Sequence, residues 1–178
     1  MVRQHNSWYT HYMNTVAVVF YSLEGHTKYL AEQLAERLGA DLFQIHPKRK
    51  YPTKGFLKFY RAGRDASLKW KVALQPPVPV LESYGTVLIC TPIWAETTSA
   101  PMYSFLRQTD LTAKRVFFIA TCSGGPAKRC FQRMRKTAKG ASILGEERFV
   151  HPSEETVERD EAQIASICNI VNEHSKAL

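Results

Sequence analysis

Apolar residues along this chain recur with two periods. Val16 to Tyr21 (VAVVFY) is an unbroken apolar run, as expected of a strand buried on both faces of a parallel sheet. It passes through SLEGHT into KYLAEQLAERLGA. There Leu30, Leu34 and Leu38 recur at helical spacing beside Ala31 and Ala35, and Gly39 stands where a C-terminal cap belongs. Asp41 to His46 (DLFQIH) reads as a second short strand, which completes the opening of an α/β fold. The pattern then weakens. Pro47, Pro52 and Gly55 interrupt it, a short helix is expected around Phe56 to Arg61, and Pro76, Pro77 and Pro79 mark an extended connection. Order returns with a buried strand over Gly85–Cys90 (GTVLIC) and a loop, TPIWAETTSAP. A helix then starts near Pro101, with Met102, Phe105 and Leu106 on its apolar side. Arg115–Ala120 (RVFFIA) is the fourth strand, and TCSGGP leads into a helix over about Ala127 to Lys139 that turns Ala127, Phe131, Met134 and Ala138 inward. Ser142–Val150 offers a fifth strand, and Val157, Ile164, Ile167, Cys168 and Val171 stripe a closing helix. Five strands alternating with helices, without an internal repeat, predict a doubly wound parallel sheet in one domain over residues 16–178, after an N-terminal extension of residues 1–15.

Composition narrows the class. A chain of 178 residues suffices for a sizeable core without disulfides, and 44% hydrophobic with 22% charged residues argues for an ordinary soluble globular protein. The cysteines Cys90, Cys122, Cys130 and Cys168 form no CxxC pair and have no histidine at metal spacing, so neither a disulfide framework nor a zinc site is expected. MVRQHNSWYTHYMN has no apolar signal core, and no run approaches the roughly 18 apolar residues of a membrane span. The expectation is a soluble cytoplasmic protein with no membrane partner; Met13 would serve as a start as well as Met1. The formal net charge is +8. Lys48 to Lys71 hold nine basic residues and one acid, Asp65, so this one segment carries the whole excess and the rest of the chain balances.

Candidate chemistry sits in the three loops that leave strands one, three and four: SLEGHT, TPIWAE and TCSGG. With strand order 2-1-3-4-5, the first and third strands flank the point where the order reverses, and the loops converge on one crevice. SLEGHT opens a helix, so unpaired backbone N–H groups and the positive helix end face into it. Gly25 permits tight curvature, and the Ser22 and Thr27 hydroxyls can donate to phosphate oxygens. Trp94 offers a flat face for a ring system, although a lone loop tryptophan is more often packing. TCSGG lets backbone donors approach a planar edge, yet by itself is only a turn.

In this order and after these strands, the loops resemble the flavodoxin-like family. The matching residues are YSLEGHTKYLAEQLAE, VLICTPIWAETTSAPMYSFL, FFIATCSGGPAKRCFQRM and ILGEERFVHP, covering about Val16 to His151. The resemblance implies a flavodoxin-like three-layer α/β/α sandwich with non-covalently bound FMN. Ser22, Leu23, Glu24, Gly25, His26 and Thr27 match the phosphate loop. Thr91, Pro92, Ile93, Trp94 and Ala95 match the first flavin loop, and Thr121, Cys122, Ser123, Gly124 and Gly125 the second. Glu24 and His26 replace the small hydroxyl residue and asparagine usual there, the second flavin loop lacks its aromatic, and the chain is basic where flavodoxins are commonly acidic.

No side chain is singled out as catalytic. Glu96 is read as a solvated loop carboxylate ahead of a proton donor to the flavin, and Cys122 as inert. His26 is equally a phosphate neighbour or a helix cap, and His151 is structural. Arg129, Arg133 and Lys136 share one helical face, and with the Lys48–Lys71 segment they suit an acidic redox partner or the phosphates of NAD(P)H. Nucleic acid is not expected, since no recognition motif accompanies the charge; a homodimer is left open. Three functions follow in order: an electron carrier, an NAD(P)H-dependent FMN reductase acting on quinones or similar acceptors, and a flavodoxin fold without FMN that serves as a binding module.

Overall fold

The computed structural model describes residues 16–52, 63–68 and 71–176. Five strands form the parallel body of the sheet: β1 (Val16–Phe20), β2 (Asp41–Gln44), β3 (Thr86–Trp94), β5 (Arg115–Cys122) and β6 (Ser142–Val150). A two-residue strand, β4 (Thr97–Thr98), pairs antiparallel with the end of β3. The order is β2-β1-β3-β5-β6, which is the expected 2-1-3-4-5 with one short strand added. The helices are α1 (His26–Leu38), α2 (Ala100–Gln108), α3 (Lys128–Thr137) and α4 (Val157–Lys176).

Alternation along each strand divides the core into two layers. Ala17, Val19, Val87, Ile89, Val116 and Phe118 face α2 and α3, packing with Met102, Phe105, Phe131 and Met134. Val16, Val18, Leu88, Cys90, Phe117 and Ile119 face α1 and α4, packing with Leu30, Leu34, Ile164 and Val171. Every β1 residue is buried because both faces of that strand are covered, so its sequence runs apolar without a break. β2 lies at the edge, and Leu42 is exposed there.

The helices end where their sequences say. Gly39 adopts the left-handed conformation (φ 57°) and closes α1, and Pro101 occupies its first turn in α2. The described residues between β2 and β3 pack on the α2–α3 side. Ile45, Tyr51, Ala66, Val72, Leu74 and Leu81 are buried in that layer, and the Val72 N–H donates to Ser104 Oγ at 2.8 Å. The helix expected at Phe56–Arg61 and the N-terminal extension lie outside the described residues. Among the described residues, no helix is long and apolar enough to cross a membrane.

Candidate functional site

Because the sheet is parallel and its order reverses between β1 and β3, the loops after β1, β3 and β5 open at one sheet end. Together they enclose a cavity of about 320 Å³.

The β1 loop forms the first wall. Gly25 sits at φ 102°, a conformation that L side chains rarely adopt, and it precedes α1 directly. Its N–H donates to Ser22 Oγ at 3.1 Å, so that hydroxyl braces the turn. α1 then begins at His26, and the N–H groups of its first turn have no intrahelical acceptors. The His26 Nδ1 lies 3.0 Å from the Pro152 carbonyl oxygen. A carbonyl can only accept, so Nδ1 is the donor in this bond. The His26 ring also meets that of His151 edge-on at 5.2 Å, which ties this wall to the chain leaving β6.

The second wall differs from the sequence expectation in a useful way. What reads as a loop after Cys90 is strand: β3 continues through Trp94 and turns back at Ala95–Glu96 into β4. Both turn residues have positive φ, 47° and 60°, as in the hairpin turns that normally hold Asn-Gly. Trp94 is 8% exposed. Its ring packs edge-on against Tyr21 at 5.5 Å and tilted against Tyr51 at 4.9 Å. The Tyr51 hydroxyl donates to Asp65 at 2.9 Å, and Arg49 and Arg64 donate to the same buried carboxylate at 2.9 and 3.0 Å. Burial alone would push the Asp65 carboxyl up, but the bonds from Tyr51, Arg64 and Arg49 outweigh it and hold it below the usual carboxylate value. Burial, followed by the bond to Asp65, pushes the Tyr51 phenol up; burial alone does so for Tyr21. The tryptophan is therefore packed between two phenols, one of which is held by a buried anion.

The β5 loop is the third wall. The Thr121 and Thr27 hydroxyls lie 2.7 Å apart and join it to the first. Gly124 and Gly125 have φ of 138° and 84°. Arg148 reaches across from β6, donating to the Gly125 carbonyl at 2.8 Å with the Cys122 sulfur 3.9 Å from the same nitrogen.

The sequence-predicted residues thus separate by position. Ser22, Leu23, Glu24, His26 and Thr27 line the cavity, as do Pro92, Ile93, Trp94 and Ala95, and Thr121, Cys122 and Ser123. Gly25, Gly124 and Gly125 shape the loops without lining it. Thr91 is fully buried behind the second wall, its hydroxyl 2.9 Å from that of Ser99. Glu96 is exposed and paired with Arg129 at 3.0 Å. Sequence reasoning missed Gly63, which lines the cavity, along with the Tyr51–Asp65 brace and Arg148. A single acid among nine bases was the available hint for Asp65.

The family description "Flavodoxin" matches residues 15–159. The chain belongs to the flavodoxin family. Solved structures share the fold at low identity. A candidate flavoprotein from Bacteroides uniformis aligns with TM-score 0.70 at 23% identity, covering 83% of this chain and 97% of that one. A Lactobacillus acidophilus flavoprotein in complex with FMN gives 0.62 at 18%, covering 82% and 97%. Oxidised flavodoxin 2 from Bacillus cereus gives 0.56 at 16%, covering 90% and 99%. No curated protein matches the chain in sequence. In this member of the flavodoxin family, the buried Asp65 and Tyr51 of the basic segment support the second wall of the cleft.

Proposed function

We propose that this flavodoxin-family chain holds one FMN non-covalently in the cleft and passes electrons through it. The observation that carries this reading is the convergence of three unlike walls on one cavity. An anion-accepting helix start, an aromatic strand end and a small-residue loop meet around about 320 Å³, a volume typical of small-molecule sites.

The residues present suit the group. The Ser22–Thr27 loop and the first turn of α1 would hold the phosphate through backbone N–H groups and the helix dipole, without an arginine. Pro92, Ile93 and Trp94 supply the apolar wall for the ring, and the Tyr21–Trp94–Tyr51 packing fixes it before any ligand arrives. When bound, FMN supplies the electron-accepting ring, and the protein's part is to position it and set its surroundings. Glu96 is engaged by Arg129, so the hairpin presents its backbone and the Ala95 side chain to the cavity. Electron exchange would be with an acidic redox protein drawn to the basic surface, or with NAD(P)H.

One observation favours a second reading, an NAD(P)H-dependent reductase of quinones or similar acceptors. The Thr121–Gly125 loop carries no aromatic residue, so a ring held against Trp94 leaves room for a second planar substrate. Anaerobic titration of the FMN-supplied protein with NADPH separates the two. Flavin bleaching followed by quinone-dependent turnover identifies the reductase. Retained flavin that NADPH leaves oxidised identifies the carrier. Absence of any flavin binding overturns both in favour of a binding module.

A further inference from the structure

A second concavity, of about 450 Å³, lies between α2 and α3 on the far side of the β3–β4 hairpin from the flavin cleft. Five cations line it: Arg107 from α2, Arg129, Arg133 and Lys136 from α3, and Lys139 just beyond. No acidic side chain is among the described lining residues, and only Arg129 has a carboxylate partner, Glu96.

Two features distinguish this groove from a merely charged surface. The first is that its arginines are already held in place. The Arg133 guanidinium lies over the Tyr103 ring at 5.3 Å and donates to the Ala66 carbonyl at 2.6 Å, while Arg107 lies over the same ring at 6.0 Å. A fork fixed in this way loses little freedom when it grips an anion. The second is Thr97, which lines the groove at 5% exposure. Its hydroxyl is the one buried side-chain polar atom among the described residues without a hydrogen-bond partner. Buried hydroxyls are normally satisfied, so this one marks a place for an acceptor that the chain itself does not supply.

We propose that the α2–α3 groove is a binding site for the diphosphate of a small molecule, held by the Arg129–Arg133–Lys136 face above Thr97. Concavity and the buried hydroxyl favour a small ligand over an acidic protein surface, whose carboxylates would meet the exposed rim. The diphosphate has two chemical sources: a nicotinamide dinucleotide, or a phosphorylated metabolite with no redox ring. The hairpin connects the sites, since Trp94 and Ala95 line the cleft while Thr97 lines the groove. The site itself does not depend on flavin binding.

The test is calorimetric titration of the full chain with inorganic pyrophosphate, in the presence and absence of saturating FMN, which blocks the α1 loop. One-to-one binding is expected with FMN bound; without it, any second site at the α1 loop should be insensitive to the groove variants. Binding in the groove should weaken about tenfold or more in Arg129→Gln/Lys136→Gln, which removes two charge-assisted contacts, and by a smaller factor in Thr97→Val. Lys48→Gln/Lys50→Gln alters the overall charge equally and should leave it nearly unchanged. Absence of binding at millimolar pyrophosphate overturns the proposal, as does equal weakening in the two double variants. NADPH binding tighter than pyrophosphate with the same variant sensitivity identifies the dinucleotide source; NADPH binding no tighter identifies a free phosphorylated molecule. FMN affinity, read separately by quenching of flavin fluorescence, reports on the cleft whatever the groove does.

Discussion

At the residue scale, Glu24 is the side chain that works against the proposed ligand. It is exposed and lines the cavity beside the loop assigned to the phosphate, so its charge opposes a second anion through a partly aqueous medium. Glu24→Gln should tighten FMN about three- to tenfold at low ionic strength, a change of about 1 kcal/mol. Riboflavin affinity should not move, because riboflavin has no phosphate. Equal gains for both ligands in a fluorescence titration would show that Glu24 acts on the ring. Cys122 gives an independent report on occupancy. Burial pushes the Cys90 and Cys168 thiols up and Cys130 to about 12, whereas Cys122 is half-exposed and lines the cavity. Alkylation of the folded protein should modify Cys122 first, and FMN should slow that reaction; mass spectrometry of the labelled peptide checks both points.

At the scale of elements, the β3–β4 hairpin and the buried Asp65 brace carry opposite signs. Glu96 at φ 60° holds a left-handed conformation costing about 1–2 kcal/mol in a residue other than glycine. Glu96→Gly relieves that strain, loses about 0.5–1 kcal/mol to unfolded-state entropy and forfeits an exposed ion pair worth a few tenths. The net gain of about 0.5 kcal/mol should raise the melting temperature by roughly 1–2 °C. Asp65→Asn should instead lower unfolding free energy by about 2–3 kcal/mol, since it leaves two guanidinium groups and the Tyr51 hydroxyl facing a neutral amide. The pH dependence follows from the depressed carboxyl. Its contribution is full above the unfolded carboxylate value of about 4 and is lost as pH falls through the lower folded value. Urea denaturation between neutral pH and pH 3 should show an acid-side loss of stability in the parent that is smaller in the variant. These two elements were also the least legible in the sequence. Pro92 reads as a break and Ala95–Glu96 carries no Asn-Gly signature, so the strand extension past Cys90 gave no local sign. Asp65 and Tyr51 act across fourteen positions of a segment without periodicity, which places their pairing beyond pattern reading. β1, β5 and α1 were legible because continuous burial or one-sided packing writes itself directly into residue order.

At the scale of the whole molecule, fold and charge act separately. The sheet order brings three loops to one end and would do so on an acidic surface as well as a basic one; the charge selects what approaches them. The formal +8 and its concentration in one segment were visible in the sequence, but the use of part of that segment as an internal brace was not. Part of the basic segment turns inward to Asp65 as a brace, while the α3 arginines, neutral in the overall sum, line a groove of their own. The measurement that tests the central claim most directly is a visible absorption spectrum of the purified chain after equilibration with FMN and removal of free ligand. Flavin bands that persist at one equivalent, and fall away in a variant with Gly25 replaced by valine that remains folded by circular dichroism, are the expected result. A folded parent chain that emerges colourless would contradict the account.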